Sequence, residues 1–133
     1  MKSMTPFLMF DGRAEEAILF YRSVFKDFEV VFINYFEASD MTSDMKGKVM
    51  QSLVNIHGNN IIINDASITR DFSFTPSMNF FIECESEQEQ IDLYEKFKSK
   101  GSILMPLDDY GFSKQYAFVT DPFGVGWQLN LSE

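Results

Sequence analysis

A single cysteine, Cys84, stands in a chain of 133 residues. It has no partner for an internal disulfide and fits a reducing compartment. Cys84 reads as a small buried hydrophobe before it reads as a nucleophile. Basic residues are scarce too: 11 Lys and Arg against 20 Asp and Glu leave a net charge of −9. Such a surface repels phosphate backbones and anionic headgroups, so neither nucleic acid nor a membrane is an expected partner. Long apolar runs are missing. The opening "PFLMF" is too short for a secretory signal and gives way at once to "DGRAEE", and no stretch approaches the ~20 residues that cross a bilayer. These absences point to a cytoplasmic protein. What the chain has in quantity is Phe, 15 of them, with 8 Met, and 45% of its residues are hydrophobic. One domain of this length buries roughly 70% of its unfolded surface.

Two segments carry helical spacing. In "DGRAEEAILFYRSVFKDF" apolar Ala17, Ile18, Tyr21, Val24, Phe25 and Phe28 recur at that period. Asp11 is the expected N-cap, and Glu15 and Glu16 suit the positive helix end. In "SEQEQIDLYEKFKSKG", Ser86 and Glu89 form a capping box, lysines gather at the far end, and Gly101 is the expected left-handed stop. Around them lie strand-like runs: "PFLMF", "FEVVFINYF", "KVMQSLVNIHG", "NNIIIND", "SMNFFIECE", "SILMPL", "KQYAFVT" and "VGWQLNL". Gly58 with Asn59 and Asn60 punctuates one hairpin, and Asp121-Pro122-Phe123-Gly124 fits a type I turn. Element order repeats. Ile18 and Tyr21 align with Ile91 and Tyr94, and the same offset lays "PFLMFDG" over "NFFIECE". The chain is an internal duplication of a βαβββ unit, module one spanning about residues 1–70 and module two about 71–133 of one domain.

That pattern, with "TPFLMFDGRAEEAILFYRSVF", "VMQSLVNIHGNNIIIND", "FIECESEQEQIDLYEKF" and "DPFGVGWQL", resembles the vicinal oxygen chelate superfamily. This group includes glyoxalase I, bleomycin-resistance proteins and extradiol dioxygenases. The likeness is to its demethylubiquinone methyltransferase-like, or PhnB-like, branch. It implies an α+β fold of two cupped, mostly antiparallel sheets enclosing a cavity, with helices packed outside. Members commonly form homodimers. Metal-using members draw one ligand from the first and last strand of each module, and the metal acts as a Lewis acid on two neighbouring substrate oxygens. No Gly-rich strand-to-helix loop of the kind that cradles a nucleotide cofactor is present to support the methyltransferase label.

By that resemblance the ligand slots fall at Pro6, Asn79, Ile62 and Gln128. An error in the offset would bring in Asn64 or Asp65. Proline and isoleucine offer no donor, and neutral amides hold a transition metal weakly. The expectation is a chain with no metal and no cofactor.

Strand alternation then nominates a polar set. Gln128 and Asn130 share a face opposite Trp127, Leu129 and Leu131. Asn79, Phe81 and Glu83 share another, and Gln115 lies opposite Tyr116 and Phe118. Gln51 and Asn55 alternate with Val54 and Ile56, and the same alternation carries His57 onto their face. If the apolar faces meet the helices, these amides line a cavity; otherwise they solvate an open sheet. Glu83 reads first as a solvated strand-end glutamate; buried beside Phe81 instead, it would have a raised pKa suited to acid–base work. His57 is a second base candidate or a solvated strand end. Tyr110 and Phe112 in "PLDDYGFS" suggest a lid, as does "EASDMTSDMKGKVM", whose Asp40 and Asp44 lack the ligand rhythm of a calcium loop. Two readings follow. One is a metal-free module binding a small, partly apolar molecule. The other is an enzyme on a small carbonyl or vicinal-oxygen substrate, with Glu83 or His57 as base.

Overall fold

In the computed structural model, residues 1–37, 43–66 and 71–133 are described. Strand β1 (Phe7–Phe10), helix α1 (Ala14–Val24) and strands β2 (Phe28–Tyr35), β3 (Val49–Ile56) and β4 (Asn59–Asp65) come first, with a 3₁₀ turn at Ser43–Met45. Strand β5 (Asn79–Glu83), helix α2 (Glu87–Lys98) and strands β6 (Ser102–Asp108), β7 (Gln115–Thr120) and β8 (Gly126–Leu131) repeat that order. The halves form two compact units, Met1–Asp71 and Phe72–Glu133. Each contains one four-stranded sheet, β1-β4-β3-β2 or β5-β8-β7-β6. The first and last strands of each unit pair in parallel, and every other pair is antiparallel. The fold is thus α+β, built from tandem βαβββ modules with mostly antiparallel sheets.

Each helix covers one face of its own sheet. Ala14, Ala17, Ile18, Tyr21 and Val24 form the buried stripe of α1, over a sheet face carrying buried Val54, Ile61 and Ile63. On α2 the stripe is Gln90, Leu93, Tyr94 and Phe97. The Phe97 ring stacks on Trp127 at 4.8 Å, and Phe80 stacks on the same indole at 4.8 Å. Burying one such side chain contributes roughly 1.5–3 kcal/mol. Gln90 ties helix to sheet, its Nε2 donating to the carbonyls of Gln115 and Leu129.

Three local expectations are corrected. Asp11 does not cap α1: the N-cap position is Arg13, with no side-chain cap bond. Asp65, at the end of β4, does that work across the sheet, its Oδ1 accepting from the amides of Gly12 and Ala14 at 2.8 and 3.0 Å. Gly101 is not the left-handed stop of α2, for its φ is not positive and the C-cap, Ser99, has right-handed helical angles. Its lack of a side chain is what counts: a Cβ there would fall 1.9 Å from the Thr120 carbonyl oxygen. The β3–β4 hairpin turns at His57-Gly58, with φ of 51° and 84°, a pair of positive angles that matches the twist of the flanking strands. The capping box holds, with Ser86 Oγ accepting from Glu89 N and Glu89 Oε1 from Glu85 N.

Candidate functional site

Cross-strand partners share a face, so register decides which side chains meet. On the side of the second unit away from α2, three strands form a grid. Its rows are Asn79–Gly126–Thr120, Phe81–Gln128–Phe118 and Glu83–Asn130–Tyr116. Gln128 is central, between two phenylalanines. The Tyr116 hydroxyl donates to Gln128 Oε1 at 2.6 Å, Gln128 Nε2 to Asn79 Oδ1 at 2.7 Å, and Asn79 Nδ2 to the Pro76 carbonyl at 3.0 Å. All three bonds run one way, so each amide keeps one N–H unbonded. Phe81 is 58% exposed beside them. Gly126 keeps the row open, because a Cβ there would lie 3.0 Å from Asn79 Cβ.

The third row is more closed. Asn130 Nδ2 donates to Glu83 Oε1 at 2.8 Å, and the Ser132 amide donates to Glu83 Oε2 at 3.0 Å. These bonds correct the expectation for Glu83. The Asn130 amide, against a smaller opposing effect of burial and helped by Ser132, holds its pKa below the ordinary 4.5 rather than above it. A carboxylate that is stabilised ionised is a weaker base. Tyr116 is buried, and burial raises its phenol, with Tyr110 adding to the effect. Tyr110 and Phe112 pack edge-on against Tyr116, at 5.8 and 5.0 Å between centroids. The Tyr110 hydroxyl donates to the Pro106 carbonyl at 2.6 Å.

Gln115 is not in this set. It pairs with Leu131, on the face of Ala117, Leu129 and Trp127 that meets α2. The positions that join the amides are its neighbours Tyr116 and Phe118. Strand β7 is apolar on both sides, so alternation alone could not choose its outer face, and only register reveals these two residues.

In the first unit, Gln51 is exposed and pairs with Asn34. Asn55 is spent on the hairpin, Oδ1 accepting from Gly58 N and Nδ2 donating to Asn60. His57 leaves the strand face for the turn, its side chain 82% exposed and 3.4 Å from Asp27. Asp40 lies outside the described residues. Cys84 is buried, and its thiol is pushed up to about 12, first by burial and then by Glu89 and Glu83. It is inert as a nucleophile at neutral pH.

The slots implied for a metal do not fit one. At Gln128 and Asn79 both amide oxygens already accept hydrogen bonds, and Ile62 and Pro6 supply no side-chain donor. Among the described residues no group of three or more His, Cys, Asp or Glu could hold a metal ion. No helix among them is long and apolar enough to cross a membrane.

Paired βαβββ units with this strand order define a glyoxalase-like protein of the vicinal oxygen chelate superfamily, and comparison with known proteins agrees. Residues 2–130 match the model of the 3-demethylubiquinone-9 3-methyltransferase family, and the chain belongs to that family. A PhnB protein from Bacillus cereus is 37% identical over 98% of this chain and 99% of its own, with a TM-score of 0.90. A protein of Pseudomonas aeruginosa shares the fold at 22% identity, over 99% of this chain and 98% of its own, with a TM-score of 0.85. At 11% identity the fold extends to a variant of a fosfomycin resistance protein from Listeria monocytogenes, solved with Mn(II) and 1S,2S-dihydroxypropylphosphonic acid. That match covers 98% of this chain and 92% of the other, with a TM-score of 0.62. No curated protein matches in sequence.

Proposed function

We propose that this single glyoxalase-like domain is a small-molecule-binding protein that works without a metal, its ligand seated on the Phe81–Gln128–Phe118 row. The observation that carries this reading is the one-way bond chain through Gln128. It fixes both amides, Gln128 and Asn79, and leaves each with a spare donor beside exposed aromatic carbon. Small-molecule sites combine such apolar walls with a few fixed polar groups. The alternative reading as an enzyme loses support at both candidate bases. Glu83 is held ionised by Asn130, and His57 sits in an exposed turn.

Two measurements test the proposal. Elemental analysis of protein purified without chelator, then challenged with Zn²⁺, Ni²⁺, Mn²⁺ and Fe²⁺, should find no stoichiometric metal. Metal that survives dialysis would overturn the reading. Replacing Gln128→Ile should abolish binding of small aromatic carbonyl compounds, with a fall in the thermal midpoint limited to the loss of the Tyr116 and Asn79 bonds. Binding that persists would place the ligand elsewhere.

We also expect a homodimer. Exposed Ile103 and Leu104 on edge strand β6, and Val31 and Phe32 on edge strand β2, are apolar surface of the kind a partner covers. Light scattering on the eluting peak distinguishes the 15.4 kDa chain from its dimer. A cytoplasmic location is proposed on the lone, unpaired Cys84, and fractionation of the host cell checks it.

A further inference from the structure

One buried polar atom on the grid has no partner. Asn130 is 7% exposed, and its Nδ2 is committed to Glu83 and Ser132. Its Oδ1 is buried and accepts no hydrogen bond. Folded proteins rarely leave such an acceptor bare, because burial removes its water and returns nothing. The other orphan, Gln90 Oε1, belongs to the packed side between α2 and its sheet. Asn130 belongs to the outer face, two residues along β8 from Gln128, so the two amides stand roughly 7 Å apart. One end of the outer face therefore offers donors, the spare N–H groups of Gln128 and Asn79. The other end offers an unused acceptor.

Charge narrows the choice further. Across the grid and its β6 neighbours Met105 and Asp108, the ionisable groups besides Tyr116 are the carboxylates of Glu83 and Asp108, with no lysine or arginine. An anionic ligand would meet the repulsion of these carboxylates with no cation to offset it.

We infer that the ligand is an uncharged, flat aromatic molecule with a carbonyl acceptor at one end and a hydroxyl or N–H donor at the other. The carbonyl accepts from Gln128 and Asn79, the ring lies between Phe81 and Phe118, and the donor satisfies Asn130 Oδ1. Because Oδ1 has no exposed surface, the donor reaches it by displacing a neighbour. Phe112, 64% exposed, packs on Tyr116, the cross-strand partner of Asn130. This assignment of ligand class rests on the binding site proposed above.

The test uses three probes on the full chain, followed by calorimetry or saturation-transfer NMR. 4-Hydroxyacetophenone has the carbonyl, the ring and the distal donor; acetophenone lacks the donor; 4-hydroxybenzoate replaces the carbonyl with an anion. The expected order is 4-hydroxyacetophenone at least tenfold tighter than acetophenone, with 4-hydroxybenzoate weakest. Asn130→Leu should erase the advantage of the hydroxyl. Should that buried substitution unfold the unit, the wild-type ranking alone still decides. Acetophenone binding as well as its hydroxylated partner, with both lost in Phe81→Ala, would keep the site and overturn the ligand class. Tightest binding by the benzoate would also overturn it. Failure of all three probes would overturn the site and the inference together.

Discussion

The middle rows of the two sheets differ at one decisive place. In the first unit the row reads Phe7, Ile62, Leu53, Phe32 across β1, β4, β3 and β2. In the second it reads Phe81, Gln128, Phe118, Met105 across β5, β8, β7 and β6. Strand for strand, Ile62 and Gln128 are counterparts, and apolar residues surround both. The helix-facing sides are mainly apolar in each unit, because covering them is what folds a βαβββ module. The outer faces had no such duty and diverged. One became a plain apolar row, the other a fixed amide between aromatics. A duplicated fold thus confines new chemistry to the face its helix leaves alone.

The units also use buried carboxylates differently. Asp65 gathers the start of α1 and the head of β3, accepting from the amides of Gly12, Ala14 and Val49. Asp121 gathers a turn and an indole, accepting from the amides of Phe123 and Val125 and from Trp127 Nε1. Removing either strands three donors at about 1–3 kcal/mol each, less what water recovers. Asp65→Ala and Asp121→Ala should each cost roughly 3–5 kcal/mol in urea unfolding, the largest effects expected here. The difference between them lies in place. Asp65→Ala should release the amide protons of α1 to exchange while the Trp127 emission holds. Asp121→Ala should do the reverse. If both variants loosen the same unit, the two carboxylates are not independent pins.

Gly101→Ala comes next. The added carbon would press on the Thr120 carbonyl, and relieving such crowding costs about 1–3 kcal/mol. A thermal midpoint equal to wild type would show that β6 can slide away from β7.

Smaller still is the contrast between helix starts. Ser86→Ala removes a cap from α2 and should cost about 1 kcal/mol. Asp11→Ala should cost close to nothing, since Asp65 holds the start of α1. Equal losses in the two variants would restore Asp11 as a cap.

These contrasts mark what the sequence could disclose. All eight strands were legible, because short apolar runs such as "NNIIIND" and "QYAFVT" sit between turn residues, and the Ser86–Glu89 box is local in sequence. Long-range relations were not legible. Asp65 caps a helix more than fifty residues away, and Gly101 is required by a carbonyl on another strand. Gln115 and Tyr116 exchanged faces because "QYAFVT" has apolar residues on both sides, leaving register as the only arbiter. Alternation placed Asn79 with Phe81, and Gln128 with Asn130, on shared faces, as the register has them. Their wiring through Tyr116 was not legible, for a tyrosine in an apolar strand reads as core.

The smallest expected effect falls on Glu83, in the third row. Its folded pKa lies below the ordinary 4.5, chiefly because Asn130 donates to the ionised form. A depressed carboxylate contributes its stability above the unfolded pKa and loses it as pH falls through the folded value. The contribution is therefore intact at neutral pH and disappears only on acidification below about pH 4.5. Carbon-detected NMR of the Glu83 carboxyl should show the low midpoint directly. Asn130→Leu should return it toward the ordinary value, leaving only Ser132 to depress it. A midpoint at or above the ordinary value in the wild type would mean that Asn130 does not hold Glu83 in solution. The amide would then be free to turn, its oxygen would no longer be fixed as an orphan acceptor, and Glu83 would return as a candidate base.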